Sequence, residues 1–162
     1  MDIPAQYSFK TLVDFSGEHL LYEIEMLYGV TRILVAGADD VYIHNGLLES
    51  FVIHASNIHD FFYKPQIKAD DVKAVHYMAD AKRWSKILPA QSDTFKRFNK
   101  KRNKWVMHLS YRRLEVEPGE RRWGAPQLTK ELAKLVDLFL DHADPHRLHP
   151  KILELHSRRR SS

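Results

Sequence analysis

An apolar stripe between residues 40 and 64 constrains the fold more than any other feature of this sequence. Its apolar residues recur at steps of three and four, which places them on one face of an α-helix: Leu47, Leu48, Phe51, Ala55, Ile58 and Phe62. Asp39 or Asp40 can cap the first turn, and Pro65 ends the helix because proline has no amide hydrogen to donate. We therefore predict a long amphipathic helix here.

Three more main helices are predicted around this one. The first covers residues 7–29 and ends near Gly29, and the following VTRILVAGADD is interpreted as a connection, although a short strand fits it too. Another begins at Ser92 or Asp93 and runs to about residue 113. The last has Pro126 in its first turn and runs to about residue 141.

The remaining segments are predicted to be shorter or irregular. Asp70 or Asp71 could cap a short helix that ends before Pro89. The sum is an all-α fold, an up-and-down bundle of four main helices in residues 1–143. Residues 144–162 are predicted to be a partly disordered basic tail. At most three apolar residues dock this tail: Ile152, Leu153 and Leu155.

The composition predicts one domain in a reducing compartment. A chain of 162 residues, 44% of them hydrophobic, can bury one core, and it has no cysteine for a disulfide or a thiolate zinc site. The N-terminus lacks an apolar signal core, and no run reaches the roughly 18 apolar residues that a membrane span requires. We predict a cytoplasmic protein without a membrane partner.

No cofactor and no metal ion is predicted, although the chain contains ten histidines. His54 and His59 are five positions apart, a step that turns a helix by about 140° and separates their faces. His142, His146 and His149 lie in a segment that prolines interrupt. No glycine-rich phosphate loop, nucleophile elbow or paired-carboxylate pattern is present.

Basic residues are concentrated near residues 95–113, although the formal net charge is only +4. Six of them lie close together, and four arginines follow: Lys96, Arg97, Lys100, Lys101, Arg102 and Lys104, then Arg112, Arg113, Arg121 and Arg122. Such a patch attracts phosphate chains over about 8 to 10 Å in physiological salt, which makes nucleic acid a candidate partner. The alternative interpretation is a solvated helix face.

The predicted basic helix has an anomalous apolar face. At 100° per residue, Arg102 shares a stripe with Phe98, Val106 and Leu109. Burying an unpaired guanidinium is very costly, so Arg102 must pair with a carboxylate, reach an edge or line a polar cleft. Glu49 on the long helix is a possible partner.

A second stripe beside the first contains a histidine among cations: Lys101, Trp105, His108 and Arg112. This stripe could hold a phosphate chain. Neighbouring cations favour the neutral form of His108, which can then act as a base, while arginine or lysine stabilises a phosphorane-like transition state. The reaction needs no metal when the ribose 2′-hydroxyl attacks. The alternative is a partly buried histidine that is hydrogen-bonded to its neighbours.

The string RNKWVMH resembles the signature of HEPN domains (higher eukaryotes and prokaryotes nucleotide-binding), in which an arginine and a polar residue precede a histidine. Arg102, Asn103 and His108 fit this signature, with five residues between the arginine and the histidine. The string NGLLESFVIHASNIHDFFY is similar to the second helix of bacterial HEPN-like proteins. At the commonest family spacing, the arginine position falls on Asn103, which leaves catalysis open.

The resemblance implies an all-α HEPN-like bundle, often a homodimer, whose motif helices meet to form a metal-independent endoribonuclease site. It also implies a role in a toxin–antitoxin or antiviral system, with a possible neutralising partner protein. His108 would be the general base or acid, Arg102 would stabilise the phosphate, and Asn103 would orient either group. Four further residues would bind the RNA: Lys101, Lys104, Trp105 and Arg112.

A second hypothesis remains open beside the endoribonuclease. The chain would be a non-catalytic helical binding or dimerisation module. In that case Arg102 and His108 would be structural and would belong to a buried polar network with Glu49 or another acidic residue.

Overall fold

The computed structural model describes residues 8–65, 68, 70–105, 111 and 123–160, and for residues 103–105 it describes the helix path only. Seven α-helices lie within these ranges: α1 (Phe9–Phe15), α2 (Leu21–Ala36), α3 (Val41–Tyr63), α4 (Ala81–Ile87), α5 (Asp93–Trp105), α6 (Ala125–His142) and α7 (Pro150–Arg160). A π-helical turn, Ser16–Leu20, joins α1 to α2. The described ranges contain no β-strand, which confirms the predicted all-α class.

Helix α3 is the amphipathic helix that the sequence predicts. The Asp40 carboxylate caps it by accepting hydrogen bonds from the amides of Tyr42 and Ile43, at 2.8 and 2.9 Å. Its last helical residue is followed by Lys64 and then by Pro65, as expected. The predicted apolar stripe is buried at four positions: Phe51, Ala55, Ile58 and Phe62. This face packs α3 against α2, α5 and α6.

The first predicted helix was expected to end near Gly29, and that boundary is wrong. Helix α2 continues to Ala36, so most of the segment interpreted as a connection is helical. Val30 is buried, and the hydroxyl groups of Thr31 and Thr129 on α6 are 2.8 Å apart. Burial of this face against α6 outweighs the low helix propensity of a single glycine, and Gly37, at φ +90°, ends the helix instead.

The short helix before Pro89 is capped at a different residue from the predicted Asp70 or Asp71. Asp80 has extended backbone angles, and its carboxylate accepts hydrogen bonds from the amides of Lys82 and Arg83. The resulting helix, α4, buries Trp84. The positions of the aspartates in the sequence could not show that Asp80 is the cap, because burial of the tryptophan determines where the helix forms.

Helices α5 and α6 begin where the sequence predicts. The Ser92 hydroxyl accepts a hydrogen bond from the Phe95 amide at 3.2 Å and so caps α5. Helix α6 has proline in its first turn and ends at His142. The predicted end of the basic helix, near residue 113, lies outside the described residues.

The C-terminal tail differs from the prediction of partial disorder, because residues 150–160 form helix α7. Ile152 is completely buried, as the predicted docking role requires, and the backbone amide of His149 donates to the Ser16 hydroxyl at 2.8 Å. Arg159 forms two hydrogen bonds, each 2.9 Å, with the Asp137 carboxylate on α6. These contacts offset the entropy of ordering the tail.

An aromatic cluster at the centre of the fold holds α3 against α6. The rings of Phe61 and Phe139 meet edge to face with centroids 5.2 Å apart, and Tyr77 contacts Phe139 in the same way at 5.6 Å. The Tyr77 hydroxyl donates to the Leu12 carbonyl at 3.0 Å. No helix in the described part of the chain is long and apolar enough to cross a membrane.

Candidate functional site

Arg102 lies on the face of α5 that packs towards α3, where the sequence predicted an anomalous charge. Its Nη2 donates to Asp60 Oδ1 at 2.5 Å, and its Nη1 donates to the Ser56 carbonyl at 3.2 Å. The side chain is only 13% exposed, and the guanidinium lies 5.8 Å from the centroid of the Phe98 ring. Arg102 is therefore a largely buried, paired cation that links two helices.

The acidic partner of Arg102 is Asp60 and not the predicted Glu49. Both carboxylates belong to α3, but they are eleven residues apart, which corresponds to about 16 Å along a helix axis. Glu49 is exposed near the beginning of α3, whereas Asp60 is near its end, opposite α5. The position along α3 at which α5 crosses it determines which carboxylate meets Arg102. The spacing of residues within either helix does not determine that position.

Two other side chains also approach the Asp60 carboxylate. His59 Nδ1 is 3.2 Å from Asp60 Oδ1, and Lys64 Nζ is 3.8 Å from Oδ2. Burial by itself would raise the pKa of Asp60, but the hydrogen bonds from His59 and Arg102 outweigh burial and hold this pKa below its ordinary value. Asp60 is therefore an ionised anchor between two cationic or donor groups.

His59 extends this polar network to α5. Its Nδ1 faces Asp60, and its Nε2 lies 3.4 Å from Gln91 Oε1 in the segment before α5. Asn99 Nδ2 lies 3.1 Å from His59 Nε2 and donates to Gln91 Oε1 at 3.2 Å. His59 is 2% exposed, and Phe95 and Tyr63 pack against its ring. The network is thus held in one arrangement.

A groove of about 810 Å³ opens beside this network, between α3 and α5. One wall is largely apolar and contains Val52, Ile53, Tyr63 and Pro65. The other lining residues are polar or charged: Ser56, Asn57, His59, Asp60, Lys64, Gln91, Asn99 and Arg102. A volume of this size and a mixed lining are typical of sites that bind a small molecule or a part of a larger one.

The opposite face of α5 is cationic and exposed. Lys96, Arg97 and Lys100 point away from the core, whereas Phe95 and Phe98 are buried. Lys96 pairs with an exposed aspartate in the first turn of the same helix. Within the described residues, Arg97 and Lys100 form no ion pair. We call Lys96, Arg97 and Lys100 the α5 basic face. Arg97 and Lys100 in this face are available to an external anion.

The basic residues at the C-terminus have a different environment. Arg159 is held by Asp137, Arg160 by Asp141, and Arg158 lies 3.1 Å from Glu154. A cation that already has a carboxylate partner gains less from a phosphate, because the two anions compete for it. Arg159 and Arg160 therefore attach α7 to α6, whereas Arg158 pairs within α7.

The predicted site residues fall into three groups. The structure describes the side chains of Arg102 and Lys101. Lys101 Nζ lies 4.5 Å from the centroid of the Trp123 ring, a cation–π contact. Asn103, Lys104 and Trp105 belong to the last turn of α5, but their side chains are outside the described part. His108 and Arg112 are outside it altogether.

Sequence reasoning missed the partners of Arg102 and considered His59 only as a metal ligand. A signal was present, because His59 follows Ala55 by four residues and Phe51 by eight, which places it in the apolar stripe of α3. A buried histidine needs hydrogen-bond partners, so this position predicts a polar network. His54 pairs instead with Glu23 at 2.7 Å.

No three histidine, aspartate or glutamate side chains in the described ranges are grouped closely enough to hold a metal ion. Comparison of the chain with models of protein families, with curated proteins and with solved structures gave no match in any of the three. The HEPN resemblance therefore depends on the sequence strings quoted above.

Proposed function

We propose that this chain is an RNA-directed, HEPN-like protein that binds RNA through the α5 basic face. The observation that carries the proposal is the pair Arg97 and Lys100, which lie on one exposed side of α5 without an acidic partner among the described residues. The buried Phe95 and Phe98 fix the opposite side of the helix in the core. The cations are thus presented together on one exposed side of a helix, where they can contact backbone phosphates.

A more specific form of the proposal adds the chemistry that the resemblance implies. In this form the chain is a metal-independent endoribonuclease of a toxin–antitoxin or antiviral system. It acts in the cytoplasm as a homodimer, under the control of a neutralising partner protein. His108 takes or gives the proton of the ribose 2′-hydroxyl, Arg102 stabilises the phosphate, and Asn103 orients either group. Asp60 and Ser56 engage only two of the five guanidinium donors of Arg102.

A second candidate function is a non-catalytic helical binding or dimerisation module. One observation favours it: Arg102 is 13% exposed, and Asp60 of the same protomer compensates its charge. In that case the guanidinium attaches α5 to α3 and takes no part in phosphate chemistry. The alternative predicts binding without cleavage.

RNA binding is tested by charge reversal on α5. Arg97→Glu combined with Lys100→Glu should weaken binding of a structured RNA about tenfold or more, and should lower the salt dependence of log K by about two phosphate contacts. Arg83→Glu with Lys86→Glu on α4 is the matched control, because these residues are also an exposed arginine and lysine three positions apart. Equal effects of both pairs would show that net charge alone attracts the RNA, and would refute an α5 binding face.

Cleavage is tested separately by incubating the purified protein with structured RNA in EDTA. The endoribonuclease form predicts cutting that is independent of divalent metal and is lost in His108→Ala. Equal cleavage by this variant would refute the catalytic form. Binding without cleavage by the wild-type protein would support the second candidate.

A further inference from the structure

Helix α2 has a second apolar stripe, on the side that is turned away from the core. Its members recur at steps of four, three and four residues, and we call them the α2 outer stripe: Tyr22, Met26, Gly29 and Ile33. Tyr22 is 52% exposed and Ile33 is 44% exposed, whereas Met26 is half-buried. The Tyr22 ring meets His54 on α3 edge to face, with centroids 5.6 Å apart. An exposed apolar stripe with an oriented aromatic ring is typical of a contact surface.

The α2 outer stripe is complementary to a reversed copy of itself. Its centre lies between residues 27 and 28, so an antiparallel copy places Met26 opposite Gly29 and Tyr22 opposite Ile33. No atom lies within 4 Å of the position that a Cβ of Gly29 would occupy, so a methionine side chain finds room above this glycine. Side chains at three- and four-residue steps of one helix fit into the spaces of another in this way.

Two opposite charges flank the stripe on one edge of α2. Glu25 and Arg32 are exposed and seven residues apart, and neither forms an ion pair with a residue in the described ranges. In the antiparallel pairing, Arg32 of one copy and Glu25 of the other are offset by only about 3 Å along the axis. The two glutamates are then offset by about 8 Å and the two arginines by more, so attraction exceeds repulsion. A parallel pairing would instead bring like charges together.

We propose that the α2 outer stripe binds a second copy of this chain, with the two α2 helices antiparallel about a two-fold axis. The charges identify the partner, because Glu25 and Arg32 each meet their opposite on the same surface of another copy, and the axis forms each ion pair twice. A contact of this length buries roughly 1,000 Å², so we expect a dissociation constant in the micromolar range. Such a contact deepens the proposed function and rests on it, because it gives the homodimer of that proposal a surface.

Sedimentation velocity of the full chain in the absence of RNA tests the dimer separately from RNA binding. The wild type should change from monomer to dimer between about 1 and about 300 µM protein, and association should stop at the dimer because a two-fold contact closes on itself. A monomer throughout, or growth beyond the dimer, would overturn the proposal. Arg97→Glu with Lys100→Glu, which tests RNA binding, should dimerise as the wild type does. Loss of the dimer in this variant would place the contact on α5 and also overturn the proposal.

The apolar part of the contact is tested at Ile33. Ile33→Glu places a charge in the apolar centre of the contact and should raise the dissociation constant of the dimer at least about tenfold. Val35→Glu is the matched control, because Val35 is 65% exposed on the same helix but is turned by about 200° from Ile33. It should leave the dissociation constant within about twofold of the wild type. Equal effects of the two substitutions would refute the α2 outer stripe as the contact.

A charge exchange tests the antiparallel pairing itself. Arg32→Glu alone and Glu25→Arg alone each replace two attractions by two repulsions, and each should raise the dissociation constant about fivefold or more at low ionic strength. The double variant exchanges the two charges and should return to within about twofold of the wild type, because every opposite pair is formed again. A double variant that associates no better than the single variants would overturn the antiparallel two-fold contact.

Discussion

Arg102 on α5 and Asp60 on α3 form an ion pair 2.5 Å long, and the arginine side chain is 13% exposed. The pair is embedded in a network, since Asp60 also meets His59 and the guanidinium also reaches the Ser56 carbonyl. It joins the helix with the highest density of basic residues to the longest helix of the bundle. Its role in stability can therefore be separated from any role in RNA chemistry.

Removing the guanidinium should destabilise the fold. Arg102→Ala removes the shortest contact of a partly buried carboxylate and the donor of a backbone carbonyl, and we expect a loss of about 3 kcal/mol in the free energy of unfolding. Arg97→Ala, on the exposed side of the same helix, should change it by less than about 0.5 kcal/mol. Urea unfolding measures both. A similar small effect of the two substitutions would show that the ion pair contributes little.

The Asp60 network also predicts a pH dependence of stability. The folded protein lowers the pKa of Asp60, so its contribution is fully present above the unfolded-state pKa near 4 and is lost as the pH falls through the lower folded-state value. The stability difference between the wild type and Asp60→Asn should therefore narrow as the pH falls below about 4. Urea midpoints at a series of pH values measure it, and a gap independent of pH would contradict the ionised state of Asp60.

Two glycines in the first helical region should respond oppositely to alanine. A Cβ atom at Gly17 would lie 2.4 Å from His149 Cγ, so Gly17→Ala must displace the start of α7 and should cost about 1 to 3 kcal/mol. Gly29 has open space around its Cβ position, and Gly29→Ala should stabilise α2 by about 0.5 to 1 kcal/mol. Thermal unfolding compares them. Combining Gly17→Ala with His149→Gly, which also removes the His149 Cβ that would lie 2.7 Å away, should restore part of the loss, and no restoration would exclude this contact as the cause.

Docking of the tail can be tested at Ile152. This side chain is completely buried, so Ile152→Ala should lower the free energy of unfolding by about 2 to 4 kcal/mol. The adjacent Lys151 is exposed, and Lys151→Ala should be nearly neutral. Limited proteolysis gives a second readout, because the Ile152 variant should be cut after residue 143 faster than the wild type. Equal rates for both variants would indicate that α7 contributes nothing to the fold.

Helix boundaries were predictable where they depend on local chemistry. Asp40 caps α3 and Pro65 follows its end, and both effects act within a few residues. Gly29 was a misleading signal, because the burial of Val30 and the hydroxyl pair between Thr31 and Thr129 depend on α6, about a hundred residues away. A cost near 1 kcal/mol for one glycine is smaller than the gain from packing that face.

The candidate site also combines features that local sequence predicts with features that depend on distant packing. The periodicity of α5 indicated that Arg102 needed a partner, and it separated the basic side of the helix from the apolar side. It could not identify Asp60, and it could not show that His59, Asn99 and Gln91 form one network. These residues come from three segments of the chain, and only the packing of α3 against α5 brings them together.

The sequence by itself determined the all-α class, the amphipathic face of α3 and the position of a charged residue in the apolar stripe of α5. Each depends on a helical period of about 3.6 residues, which is a local property. The tertiary structure alone decided which carboxylate neutralises Arg102, which amides line the groove, and that residues 150–160 dock as a helix. These outcomes depend on how far one helix is shifted and rotated against another, and complementary packing of the whole core determines that.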